Sequence, residues 1–251
     1  MKLHVLGSNG WYPTNEASTV CTLIETNDSY IVLDAGSGIY KLDEYIKDDK
    51  PIYLFLSHFH LDHVYGFHAF PKFRFKQGIT IFGQPGTKET LQTLMNKPFS
   101  VSFENLPFKV SVRDLPEGET LLSDTDLSIE TGFLVHADPC FGYRLTVEDK
   151  TITYCTDTGY CENMVKLARD ADLLITECAL GVEEQPNPEW PHLNPKLAAQ
   201  VAKEAGAKKL LLTHFGATNY LTNENRNEAK TSAQETFSPV VIAKDNLEIE
   251  I

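Results

Sequence analysis

One run of seven residues constrains this chain more than any other: Ser57, His58, Phe59, His60, Leu61, Asp62 and His63, following the apolar stretch Ile52 to Leu56. Three imidazoles and a carboxylate fall within six positions, where a strand gives way to a turn. In an extended segment residues two apart face one side, so His58 and His60 can reach one ion. Asp62 and His63, past the turn, can address a second. Three further candidates end apolar runs: His136 after Phe133 to Val135, Asp157 after Ile152 to Thr156, and His214 after Leu210 to Thr213. A lone His in such a place is usually a polar cap. Four coordinating groups packed this densely, with three more at strand ends downstream, argue for a metal instead, and borderline-soft zinc takes imidazole nitrogen and carboxylate oxygen readily.

The rest of the chain reads as a layered α/β protein. β-branched and aromatic runs bounded by Gly, Pro, Asn or Asp predict strands at 2–7, 20–26, 30–35, 51–57, 79–83, 109–115, 127–136, 173–176, 210–213 and 240–251. The runs 143–147 and 151–156 flank Glu148, Asp149 and Lys150, which suits a hairpin. Asn194 as N-cap, Pro195 at the first position, apolar Leu197, Val201 and Ala205 on one face and Gly206 at the end predict a helix. Weaker amphipathic patterns cover 39–46, 87–97 and 162–171. No repeat or linker divides the chain, so residues 1–251 are expected to form one domain. The proline-rich stretch Gln185 to Pro195, with Trp190 inside it, could cover a site.

Composition narrows the partners. With 22 basic and 35 acidic side chains the formal charge is −13, a field that repels polyanions, so avid binding of folded RNA is not expected. No apolar window reaches membrane-spanning length and no secretory h-region opens the chain, so a soluble, cytoplasmic protein is expected. Five cysteines without a CxxC pair read as reduced thiols. His4 and His68 read as core or supporting histidines. Phe70, Phe73 and Phe75 read as core or lid aromatics; with Lys72, Arg74 and Lys76 between them they could form a substrate or dimer surface.

SHFHLDH resembles the HxHxDH motif of the metallo-β-lactamase superfamily, and His136, Asp157 in CTDTG and His214 in LLLTHFG match its downstream order. The resemblance covers nearly the whole chain. It implies an αββα sandwich, two mixed sheets flanked by helices, with His58, His60 and His136 on one divalent ion, Asp62, His63 and His214 on another, and Asp157 bridging. Zinc is the expected ion, with manganese or iron as alternatives. Leu173 to Ala179, carrying Glu177, and His192, Leu193, Asn194 resemble paired motifs of the RNase Z branch, in which Glu and His form a proton-transfer dyad. Asp62, His192 and Glu177 are therefore the expected catalytic group, and Gly7 to Thr14 resembles a glycine loop near the site. Two features depart from that branch. Asn15, Glu16, Ala17 and Ser18 stand where relatives carry Arg and Asn, and 157 − 136 = 21 residues leave no room for the flexible arm that grips transfer RNA in bacterial relatives.

The resulting expectation is a dinuclear-zinc phosphodiesterase. It would use metal-activated hydroxide on a small or single-stranded substrate such as a cyclic nucleotide, without folded transfer RNA or a membrane as partner. A lactone, thioester or lactam hydrolase of the same fold is the alternative. The resemblance also makes a homodimer the assembly to look for.

Overall fold

In the computed structural model, which describes residues 1–122 and 125–251, two mixed sheets pack face to face with helices outside both. The first half of the chain supplies β1 (Lys2–Gly7), β2 (Asn9–Gly10), β3 (Cys21–Glu25), β4 (Tyr30–Leu33), β5 (Ile52–Phe55), β6 (Ile79–Gly83) and β7 (Val110–Asp114). Its helices are α1 (Leu42–Tyr45), α2 (Leu61–Val64) and α3 (Thr87–Leu94). The second half supplies β8 (Gly118–Leu121), β9 (Ser128–Phe133), β10 (Phe141–Val147), β11 (Lys150–Cys155), β12 (Leu173–Cys178), β13 (Leu210–Gly216), β14 (Val240–Ile242) and β15 (Glu248–Glu250). Here the helices are α4 (Glu162–Leu167), α5 (Pro195–Ala205) and α6 (Asn223–Gln234).

One sheet runs β15-β1-β3-β4-β5-β6-β7 and the other β14-β13-β12-β11-β10-β9-β8, with β2 also on β13. Each sheet is parallel over one part, β4 to β7 and β11 to β14, and antiparallel over the other. Strands of the first sheet alternate their buried faces. Leu3, Val5, Ile31, Leu33 and Phe55 enter the core between the sheets, while Leu6, Tyr30, Val32, Leu54 and Leu56 pack beneath the outer helices.

The 195–205 helix forms as the sequence predicts: the Asn194 side chain accepts the Leu197 N–H at 2.9 Å, and Gly206 closes the helix at φ 68°. Glu148 and Asp149 make the predicted hairpin turn with φ of 53° and 58°, as a two-residue turn between twisted strands requires. Other elements differ. The run 240–251 is two strands on different sheets, broken at Asp245, whose carboxylate ties Lys41, Ser8 and Ser18 together. The 39–46 pattern is a 3-10 turn leading into α1.

His68, expected inside, is exposed on the 3-10 segment Tyr65–Lys72, where the buried positions are taken by Gly66, Phe67 and Phe70. His4 is buried in β1, beside Glu248 and the Tyr45 ring. Phe70, Phe73 and Phe75 are buried in the outer layer, Lys72 is paired with Asp43, and the Arg74 guanidinium bonds the carbonyls of Pro71 and Phe73. That stretch is core and offers no stacking platform. None of the five cysteines is in a disulfide.

Candidate active site

Candidate ligands stand at or just beyond the carboxyl ends of strands, where α/β proteins place their sites. His58 and His60 follow β5, and Asp62 and His63 ride on α2. His136 follows β9, Asp157 follows β11 and His214 lies in β13. The structure brings them into two groups. His58, His60, His136 and Asp157 have ligand atoms within 4.8 Å of one another, as do Asp62, His63, Asp157 and His214. Asp157 is common to both: one carboxylate oxygen lies 3.5 Å from His58 Nε2, 3.5 Å from His63 Nε2 and 3.8 Å from His136 Nε2, the other 2.9 Å from His214 Nε2. Asp62 Oδ2 lies 3.2 Å from His214 Nε2.

Electrostatics follow from this crowding. Burial, reinforced by the His63, His60 and His136 rings, pushes the His58 pKa well down despite Asp157, and burial likewise lowers His136. Both are held in the neutral form that ligates metal. Burial opposes charge on His63 and His214 as well, but Asp157 and Asp62 outweigh it, raising His63 and holding His214 up to about 10. The same imidazoles, working against burial, keep Asp62 and Asp157 below the carboxylate range.

The donor set fits divalent cations. His58 Nε2 is buried, faces Asp157 and has no hydrogen-bond partner among the described residues, and an unpartnered buried imidazole nitrogen beside a carboxylate is what a metal ligand looks like. A cation bound at Asp62 and Asp157 would supply the positive charge that these carboxylates favour on the His63 and His214 rings.

Residues that the sequence did not single out hold this set. Asp34, buried after β4, takes the Ser57 N–H at 2.7 Å, the Ser57 hydroxyl at 2.8 Å and the Tyr154 hydroxyl at 2.7 Å, and sits 2.7 Å from His63 Nδ1. It orients His63 through the ring nitrogen that does not face Asp157. Asp138 does the same for His60, at 2.8 Å from Nε2, leaving Nδ1 toward His136. Asp34 ends an apolar strand like the other candidates, so that signal was available; Asp138 carries none.

The glycine loop reaches the site. A Cβ on Gly10 would lie 2.3 Å from the His214 ring, and the Trp11 N–H donates to Asp62 Oδ2 at 2.6 Å. Behind it, the Arg226 guanidinium bonds Ser8 Oγ, Asn9 Oδ1 and the Ala243 carbonyl. Trp11, Asp34, Asp157 and His214 have left-handed φ of 69°, 58°, 55° and 48°. Such strain in non-glycine residues costs about 1–3 kcal/mol each and gathers where geometry is over-determined.

Glu177 and His192 meet beside these groups. Glu177 Oε1 takes the Thr158 N–H at 2.6 Å and lies 2.9 Å from His192 Nδ1, and Oε2 takes the Leu193 N–H at 3.2 Å. Burial opposes protonation of His192, but Glu177 prevails and raises its pKa. The His192 ring centre lies 5.5 Å from that of His136 and 6.3 Å from that of His214.

Imidazoles and carboxylates gathered at the strand ends of an αββα sandwich define a metallo-hydrolase type of site. The chain belongs to the beta-lactamase superfamily, whose domain model matches residues 29–215. It is 30% identical to the probable metallo-hydrolase YhfI of Bacillus subtilis strain 168, over 92% of this chain and 93% of that one. A crystal structure of the metallo-beta-lactamase fold protein YhfI from Bacillus subtilis matches with a TM-score of 0.81 at 26% identity, covering 99% of this chain and 98% of the other. Ribonuclease Z of Lactiplantibacillus plantarum is 26% identical across 305 aligned positions, 98% of this chain and 96% of the enzyme. Human tRNase Z, short form, shares the fold with a TM-score of 0.75 at 24% identity, covering 100% and 99%. The protein is thus a metallo-hydrolase of the β-lactamase fold, related to ribonuclease Z. Because 305 − 251 leaves 54, at least that many aligned positions of the ribonuclease have no counterpart here.

Proposed function

We propose that residues 1–251 act as one dinuclear-zinc phosphodiesterase domain that hydrolyses a small or single-stranded phosphodiester. The observation that carries this reading is the Glu177–His192 dyad beside the two ligand groups. A thioester releases a thiolate that needs little help, whereas the alkoxide leaving phosphorus needs a proton, as would the alkoxide of an opened lactone. Two ions held by His58, His60 and His136 and by Asp62, His63 and His214, with Asp157 between, would supply an activated water and stabilise developing charge. Glu177 fixes His192 through Nδ1, which reserves Nε2 for delivering a proton to the departing oxygen. Asp62 is held in place by the Trp11 N–H. The missing ribonuclease positions and the charge of −13 favour short substrates over folded RNA.

Elemental analysis should find about two zinc ions per chain. His192→Ala should keep them while losing roughly 10²- to 10⁴-fold in turnover of an alkyl phosphodiester, and less on bis(p-nitrophenyl) phosphate, whose leaving group is already acidic. Equal losses on both would refute the acid assignment. Turnover of a thioester or lactone alone would move the function to the alternative of the same fold.

A further inference from the structure

The chain contains two tryptophans, and both stand at the site with much of their surface open, 74% for Trp11 and 52% for Trp190. Tryptophan is highly buried on average, so two exposed ones, one bonded through its backbone to Asp62 and one beside His60, call for a reason. They belong to different ligand groups. Trp190 lies nearly parallel to the His60 ring, at 12° with centres 5.9 Å apart, and is 5.9 Å from His136 and 6.1 Å from His192. Trp11 is bonded through its backbone to Asp62 and held at φ 69°, an unfavourable conformation for so large a residue. Asp157 lies between the two groups. The surroundings are not those of a surface that tracks a phosphate backbone, since exposed Asp138 sits on His60 and Glu189 precedes Trp190.

We propose that Trp11 and Trp190 are stacking platforms for the two bases that flank a single scissile phosphate, so that the substrate class is a dinucleotide. This rests on the phosphodiesterase reading above. Stacking on an indole needs no basic groups and accepts any base, because every base has a π face. Trp190, beside His192, takes the leaving nucleoside, and Trp11, beside Asp62, takes the one that keeps the phosphate. In the reaction the oxygen of water bonds to phosphorus, the bond from phosphorus to the leaving nucleoside breaks, and that oxygen takes a proton. Dinucleotide and water become one nucleotide and one nucleoside.

The test uses the zinc-loaded full chain with adenylyl-adenosine, methyl p-nitrophenyl phosphate and a cyclic mononucleotide. Trp11→Asn suits the left-handed backbone, and with Trp190→Ala it should raise KM for the dinucleotide about tenfold each. Phe in either position should restore most of it. Trp11→Asn should lose about tenfold more kcat/KM on the dinucleotide than on the methyl ester, which has a ring on the leaving side only. A non-hydrolysable dinucleoside methylphosphonate should quench the intrinsic fluorescence, and each single variant should lose part of that quenching.

Wild type preferring the cyclic nucleotide, or tryptophan variants with an unchanged dinucleotide KM, would overturn the proposal alone. So would zinc loss in Trp11→Asn matching its activity loss, since Trp11 would then only hold Asp62. Wild type hydrolysing none of the three phosphodiesters would overturn the phosphodiesterase reading, and this proposal with it.

Discussion

Asp34 carries more of the site than its position suggests. Asp34→Ala would leave the Ser57 N–H and the hydroxyls of Ser57 and Tyr154 buried without their acceptor, at about 1–3 kcal/mol for each group stranded. Urea unfolding should show a loss of several kcal/mol, and affinity for a divalent ion should fall roughly 10- to 100-fold as His63 loses its orienting partner. Gly10→Ala should act differently: its methyl group meets the His214 ring rather than the core, so metal content should drop, while in EDTA its urea midpoint should stay close to that of the metal-free wild type. The histidine and aspartate candidates were legible because HxHxDH is local and the others repeat one rule, a coordinating residue after an apolar strand. Asp138 and Arg226 were not, because each acts through contacts set only by the folded chain.

Among the elements, α5 shows how a local signal specifies both structure and site. Asn194 caps it two residues after His192. Asn194→Ala should cost about 1 kcal/mol, seen as a fall of about 2–4 °C in the thermal midpoint for a domain of this size. The helix α6 shows the reverse. Its buried side is Arg226, Ala229, Ser232 and Ala233, small or polar residues that make no apolar period to read, so it stayed hidden in the sequence. Its Arg226 braces the loop carrying Gly10 and Trp11. Arg226→Lys keeps the charge but not the reach to Ser8, Asn9 and Ala243 together, and should lower kcat/KM several-fold with stability down by about 2 kcal/mol. An unchanged rate would show the loop to be held without it. The two strands missed outright, β2 and β8, are a two-residue pairing and a partly exposed run, too short or too polar to stand out.

At the scale of the molecule, the candidate ligands divide by chain half. His58, His60, Asp62 and His63 come from the first and His136, Asp157 and His214 from the second, and each of the two groups draws on both. Chelation should therefore weaken the whole fold: even one ion present at 1,000 times its Kd contributes about 4 kcal/mol, so EDTA should lower the thermal midpoint by about 10 °C or more. A midpoint indifferent to EDTA would show that the groups hold no ion across the halves. Among the described residues no helix is long and apolar enough to cross a membrane.

Shared ownership of the ligand groups has a further effect during synthesis. A nascent chain that has not yet exposed His214 owns the first candidate group complete but lacks a member of the second, so it could hold at most one ion in the mature arrangement. A full pair of ions would be held only when His214, the last of the seven to be translated, reaches its place, making uptake at the second group a check on finished folding.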